Sequence, residues 1–298
     1  MSGRLLAGLS RKGLDIMAVK RSGFDVFRAC YGFAAKALKE NPRIFWPFLI
    51  FAGLELVSLI GLYLVPRDPL RAVLGPVVST FWGDQFLHYP QNFFLLPKLA
   101  GFSRMVLAGF IGSLLTGIAV AFLYRKPMAA ALRKYAHLMV VTFLIIFVYY
   151  FTNRQIHIFM VKYFSAGHKH LLFMAPALWL GPLTVVISQL LALVVQALLL
   201  YAVPALILTD VKFPGAIWKS VVLFFRHPFI TLALVGFPMA VGLPLIFVNY
   251  NSPFLMAMLV PEVVLWAAVL GVGINSLVID PLVTLTTAAF FLEKEGKK

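Results

Sequence analysis

Apolar runs near twenty residues long, the length that crosses roughly 30 Å of hydrocarbon, occur six times along the chain: 44–65, 105–124, 137–159, 183–208, 229–248 and 260–292. The sixth is long for one crossing, so it is expected to be tilted, kinked or extended past the bilayer. Together they predict an all-α fold, a polytopic transmembrane bundle of about six spans. A cytoplasmic segment, 1–43, precedes the membrane domain of 44–292, and a short cytoplasmic tail, 293–298, follows it.

Three shorter stretches carry a different pattern. Over residues 24–40, Phe24, Phe27, Tyr31, Ala34 and Leu38 recur at helical spacing, with Asp25, Arg28, Lys36 and Lys39 off that face. Residues 213–226 repeat the arrangement with Ile217, Trp218, Val221, Val222 and Phe225 against Lys219 and Arg226, and 125–136 form a shorter version around Met128, Leu132 and Tyr135. Such spacing predicts amphipathic helices that lie in the interface and precede spans 1, 3 and 5. The first ends at Asn41-Pro42 and the second at His227-Pro228. Proline disfavours helix in the residue before it and pre-sets its own φ, which suits a turn into the bilayer. The chain therefore reads as three units, each an interfacial helix and two spans.

Composition agrees with this pattern. Hydrophobic residues make up 61% and charged residues 12% of the 298, far from the roughly 25% charge of soluble domains. Lipid can solvate that much apolar surface. The net charge of +15 sits beside the apolar runs, where orientation signals and anionic-lipid contacts belong, so it does not point to nucleic acid. Of the Lys and Arg residues, 19 fall in 1–43, 125–136, 209–228 and the tail, and 7 in 66–104 and 154–170. That bias places both termini inside, on the cytoplasmic side. The N-terminal stretch lacks an isolated apolar segment with a cleavage site and is not expected to be a cleaved signal. Cys30 is the one cysteine, so no internal disulfide forms.

The outward connections differ. Residues 66–103 are rich in aromatics and prolines and are expected to form short helices in the outer interface. Residues 154–182 carry His157, His168 and His170, whose spacing matches no zinc signature. No metal and no cofactor is expected. The stretch 171–180 is too short to cross alone. The chain also resembles poorly characterised bacterial six-span inner-membrane proteins, related to the membrane domain of some glycerophosphodiester phosphodiesterases. Ala37–Ile50 and Tyr201–Phe229 carry the likeness, with Pro204-Ala205, Asp210 and Ala216 to Ser220 in the recurring places. The resemblance implies a six-span helical domain in a bacterial inner membrane and brings no activity.

Ionisable residues inside spans are costly and are functional candidates for that reason. Glu55 lies 11 residues from Ile44, and Asp280 lies 11 from Phe291, so both sit roughly 16 Å deep. Gln196 has a similar depth in span 4, and Asn275 lies five residues further out than Asp280. Pro281 follows Asp280 and predicts a helix kink that opens carbonyls, with Thr284, Thr286 and Thr287 near enough to re-satisfy them or to line a polar path. A kinked helix with an acid at the kink is one way to build a midplane site. Glu55, Gln196, Asn275 and Asp280 thus form a candidate site for a proton, a cation or a polar headgroup. The plainer alternative is that they hydrogen-bond between helices. No basic residue is expected at their depth. Glycines at Gly109-x-x-Gly112 and Gly271-x-Gly273 are expected to let helices approach closely. No hydrolase, zincin, nucleotide-loop or dinucleotide motif occurs, which argues against an enzyme. Two functions lead, transport or handling of a lipid or small amphiphile at the midplane site and a non-catalytic scaffold or accessory subunit, and an intramembrane enzyme acting on lipid ranks below them. Membrane lipids are the expected partners, with a second copy or another protein left open.

Overall fold

The computed structural model describes residues 23–165, 176–209, 211–250 and 260–295. Among them every regular element is helical. Five helices are long and apolar enough to cross a membrane: Pro42–Leu64, Gln91–Leu123, Tyr135–Met160, Leu183–Leu208 and Glu262–Glu295. A sixth is counted if Phe213–Arg226 and Pro228–Val241, bent by 100° at their junction, form one broken span. Among the described residues the protein is all-helical, with five or six helices long and apolar enough to span a membrane.

Helix α1 (Gly23–Glu40) is followed by a 3-10 turn, Pro42–Ile44, and then α2 (Trp46–Leu64). Pro47 occupies the first turn of α2, where its missing N–H costs nothing. The segment after α2 holds α3 (Leu70–Trp82) and a 3-10 turn, Asp84–Leu87. Helix α4 (Gln91–Leu107) then passes through a π-turn, Ala108–Gly112, into α5 (Ser113–Leu123). The second crossing helix therefore starts well before Met105, and only the first half of 66–103 forms a separate outer element.

Helix α5 ends on Arg125, whose φ of 53° puts it in the left-handed region. The Arg125 N–H reaches the Phe122 carbonyl at 3.0 Å and the Lys126 N–H reaches that of Ala121 at 2.8 Å. That is the Schellman pattern, with arginine where glycine is usual. The turn aims the Lys126 ammonium at the end of a later helix. Helix α6 (Met128–Arg133) leads into α7 (Tyr135–Ser165). Helix α8 (Pro176–Leu199) begins early enough to take in residues 176–180, so this part of the stretch 171–180 lengthens the fourth helix. It continues through a turn into α9 (Ala202–Leu208), and Lys126 Nζ donates to the Ile207 carbonyl at 2.8 Å, capping α9.

Helix α10 (Phe213–Arg226) meets α11 (Pro228–Val241) at His227. The run 229–248 is divided at Gly242, after which α12 (Leu243–Tyr250) begins with Pro244 in its first turn. That proline cannot donate to the previous turn, which ends α11. Helix α13 (Glu262–Ile274), a π-turn over Asn275–Ile279 and α14 (Asp280–Glu295) form the last crossing helix. Where the sequence places a kink at Pro281, the backbone has this π-turn immediately before it.

Eleven of the sixteen residues of α14 are buried, which makes it the central helix. Around it Cys30, Ala34, Val120, Tyr201, Ala205, Leu206, Leu285 and Phe290 form the largest core. The amphipathic helices use only part of their apolar surface there. In α1 the buried positions are Val26, Cys30 and Ala34, one step round from the face that Phe24 and Phe27 mark. In α10 they are Ala216, Ser220, Leu223 and Phe224, and Ser220 Oγ donates to the Leu198 carbonyl at 2.7 Å. Phe24, Trp218 and Phe225 remain about 70% exposed.

Candidate functional site

Glu55, Arg104 and Asp280 meet near the middle of three crossing helices. Glu55 lies on α2, Arg104 on α4, and Asp280 opens α14 directly after its π-turn. Arg104 Nη2 donates to Asp280 Oδ2 at 2.9 Å. Arg104 Nε lies 3.2 Å from Glu55 Oε1. Ser276, inside the π-turn, donates its hydroxyl to Glu55 Oε2 through a short bond. Glu55 is buried, its side chain 3% exposed, whereas Arg104 and Asp280 are about one-third open. Glu55 Oε1 has an ionic neighbour in Arg104 but no hydrogen-bond donor.

Both π-turns border this centre. One follows Arg104 by four residues and the other precedes Asp280. A π-turn inserts a residue into the helix and re-aims the side chains beside it, and such turns gather at functional positions. Here they let an arginine and an aspartate from different helices reach the same point. Next to them the Ser58 and Ser103 hydroxyls are hydrogen-bonded to each other, tying α2 to α4.

A half-open cleft of about 160 Å³ adjoins the centre. Glu55, Ser58, Ser103, Arg104 and Asn275 supply its polar wall, and small residues, Ala100, Gly101, Ala268 and Gly271, much of the rest. A Cβ added at Gly101, Gly271 or Gly273 would meet no atom within 4 Å. The expectation that Gly271 and Gly273 serve close helix packing is therefore corrected: they leave space. Gly109 and Gly112 do serve it. A Cβ at Gly109 would come 2.5 Å from the Phe143 ring, and one at Gly112 would come 3.0 Å from that of Phe51.

Of the four residues picked out by depth, the structure brings together Glu55, Asp280 and Asn275. Gln196 stands apart, half-buried beside Ala197, which packs on Val235, Ile279 and Val283. Thr286 and Thr287 donate to the carbonyls of Leu282 and Val283 in their own helix, at 2.7 and 2.6 Å, so they line no path. His157 is exposed, His168, His170 and Asp210 lie outside the described residues, and no metal-binding group occurs among those described.

Arg104 and Ser276 were not singled out from sequence. The absence of a basic residue at the depth of Glu55 and Asp280 is overturned by Arg104. The available signal was charge balance: two carboxylates inside apolar helices need a cation, and Arg104 borders the apolar run 105–124.

Outside the crossing helices, Cys30 and His227 are among the groups with shifted acidities. Burial is the main cause that pushes the Cys30 thiol up to about 12. His227, at the α10–α11 elbow, is lowered by burial first and then by Lys294 and Arg226. Compared with known protein families, curated proteins and solved structures, the chain matches none.

Proposed function

We propose that this protein handles a lipid or small amphiphile within the membrane, taking its polar end at Glu55, Arg104 and Asp280. The carrying observation is the cleft at mid-span whose wall includes Glu55 and Arg104, with Asp280 held behind it on the Arg104 guanidinium. A centre built only to hold helices together has no use for an opening there. Hydrocarbon penalises exposed charge heavily, yet Arg104 and Asp280 are both about one-third open.

The surroundings support an embedded protein with interfacial helices. Phe24, Trp46, Trp218, Phe225 and Phe229 are 58–84% exposed, and Arg28, Arg43, Lys219 and Arg226 stand near them in sequence. Aromatic rings and cations of this kind suit the headgroup region. The basic bias supports a threading with both termini on the cytoplasmic side, and the resemblance to bacterial six-span proteins supports an inner membrane.

A scaffold is the second reading, and one observation favours it: the charges and Ser276 tie three crossing helices together. Proteoliposomes separate the two. With a fluorescent single-chain amphiphile in one leaflet, the handling reading expects faster transfer than in protein-free vesicles. Glu55→Gln or Asp280→Asn should reduce that transfer at least tenfold. Wild-type transfer no faster than in empty vesicles, or variants as fast as wild type, overturns it.

A further inference from the structure

The charges at this centre do not balance. Glu55 and Asp280 bring two negative charges, and Arg104 brings one positive charge. Among the described residues, the elements packed against Glu55 add as cations only Lys98 on α4 and Arg43 in the turn before α2, both exposed and neither on the cleft wall. Helix α5 has no titratable side chain, the single one on α13, Glu262, lies at its far end, and the π-turn offers Asn275 and Ser276. The whole wall of the cleft has no further cation. Yet an uncompensated charge in hydrocarbon costs several kcal/mol or more. The empty centre must therefore hold one proton or one cation.

The geometry shows where that positive charge belongs. Arg104 gives its hydrogen bond to Asp280, and Ser276 gives its own to Glu55 Oε2. Glu55 Oε1 is left with no donor, on a side chain 97% buried that borders the cleft. Arg104 Nε lies 3.2 Å from it on one side, and the rest of the wall offers Ser58, Ser103, Asn275, Ala100, Gly101 and Gly271. We propose that the ligand is a cationic amphiphile, an alkylammonium whose head enters this cleft beside Glu55 and displaces one proton. This rests on the amphiphile-handling reading and gives it a ligand class and a proton dependence.

The exchange balances. A neutral centre, with one carboxyl protonated, takes up one ammonium and releases one proton to water. The O–H bond breaks, the carboxylate pairs with the ammonium, and the centre stays neutral throughout. An anionic head would leave the neutral centre with one unpaired negative charge, and Arg104, already shared by two carboxylates, has no charge left to offer it.

The test uses the full chain in nanodiscs of phosphatidylcholine, with binding measured above empty nanodiscs. The probes are decyltrimethylammonium and decyl sulfate, whose charges do not change with pH. Expected are saturable binding of the ammonium and release of about one proton per ammonium bound. Where the centre is protonated, affinity should fall about tenfold for each unit by which the pH is lowered. Glu55→Gln should abolish proton release. Gly101→Leu, which fills the cleft without touching a charge, should weaken binding at least tenfold with the protein still folded. Ammonium binding without proton release overturns the exchange. Saturable binding of decyl sulfate in preference to the ammonium overturns the cationic class and leaves amphiphile handling standing. Saturable binding of neither probe removes both readings.

Discussion

Arg104 and Asp280 are 176 positions apart in the chain and share a 2.9 Å hydrogen bond inside the helical bundle. Glu55, on a third helix, leans on the same guanidinium. Removing one member of a buried ion group costs more than removing all of it, because the partners stay buried without a counter-charge. Arg104→Gln should therefore destabilise the protein by roughly 3 kcal/mol. Adding Glu55→Gln and Asp280→Asn to it should recover most of that loss. Unfolding in mixed detergent, followed by circular dichroism, reads both. A triple variant less stable than Arg104→Gln alone would mean that the charges do not act as one unit.

The glycines divide into two kinds, and alanine tells them apart. At Gly109 the new methyl would strike the Phe143 ring at 2.5 Å, and overpacking of this sort costs about 1–3 kcal/mol. At Gly101 and Gly271 it enters open space, so only helix propensity acts. There Gly→Ala should stabilise by about 0.5–1 kcal/mol. The same unfolding measurement decides, and equal losses at all three positions would contradict an open cleft.

Much of the fold was legible because the bilayer imposes length and hydrophobicity on a spanning helix. Residues 183–208 and the His227-Pro228 elbow are examples, the latter seen as a 100° bend. Arg104 was not legible, since a charge lowers local hydropathy whether or not a partner cancels it. The apolar pattern therefore began its second span at Met105, after the one residue that completes the site. Pairing is a property of three helices in space, and no window along one of them records it. Glu55 and Asp280 were legible for the converse reason: an acid deep within an apolar run stands out against it. Gln196 stood out equally by depth, but depth does not fix which way a helix turns its side chain.

Helix α1 makes a further case for partial legibility. Its spacing marks it as amphipathic, and the structure divides its apolar residues between protein and exterior. Cys30 faces inward, fully buried, with its thiol pushed up to about 12, mainly by burial. Only the thiolate reacts with maleimide. The folded protein at pH 8 should therefore leave Cys30 unlabelled for hours, and denaturation in dodecyl sulfate should expose it within minutes. Raising the pH through 9 should accelerate labelling only after unfolding. Rapid labelling of the folded chain at pH 8 would mean that α1 detaches from α14.

That silence makes Cys30 a clean background for testing how the chain sits in its membrane. Trp46 is 58% exposed at the elbow after Pro42–Ile44, and Trp218 is 68% exposed on the amphipathic helix that leads to the elbow at His227. If both elbows lie in one headgroup region, each indole should sit at a similar shallow depth. Variants retaining only Trp46 or only Trp218 can be placed in vesicles with bromine at known positions along the acyl chain. Quenching should be strongest for bromine nearest the headgroups, with depths for the two agreeing within about 5 Å, the thickness over which interfacial helices settle. Trp266, 66% exposed within α13, should be quenched best by bromine deeper in the chain. Cysteines added at positions 2 and 297 should label together from one side of sealed vesicles. Labelling from opposite sides, or a Trp218 deeper than Trp266, would overturn the threading that the basic flanks imply.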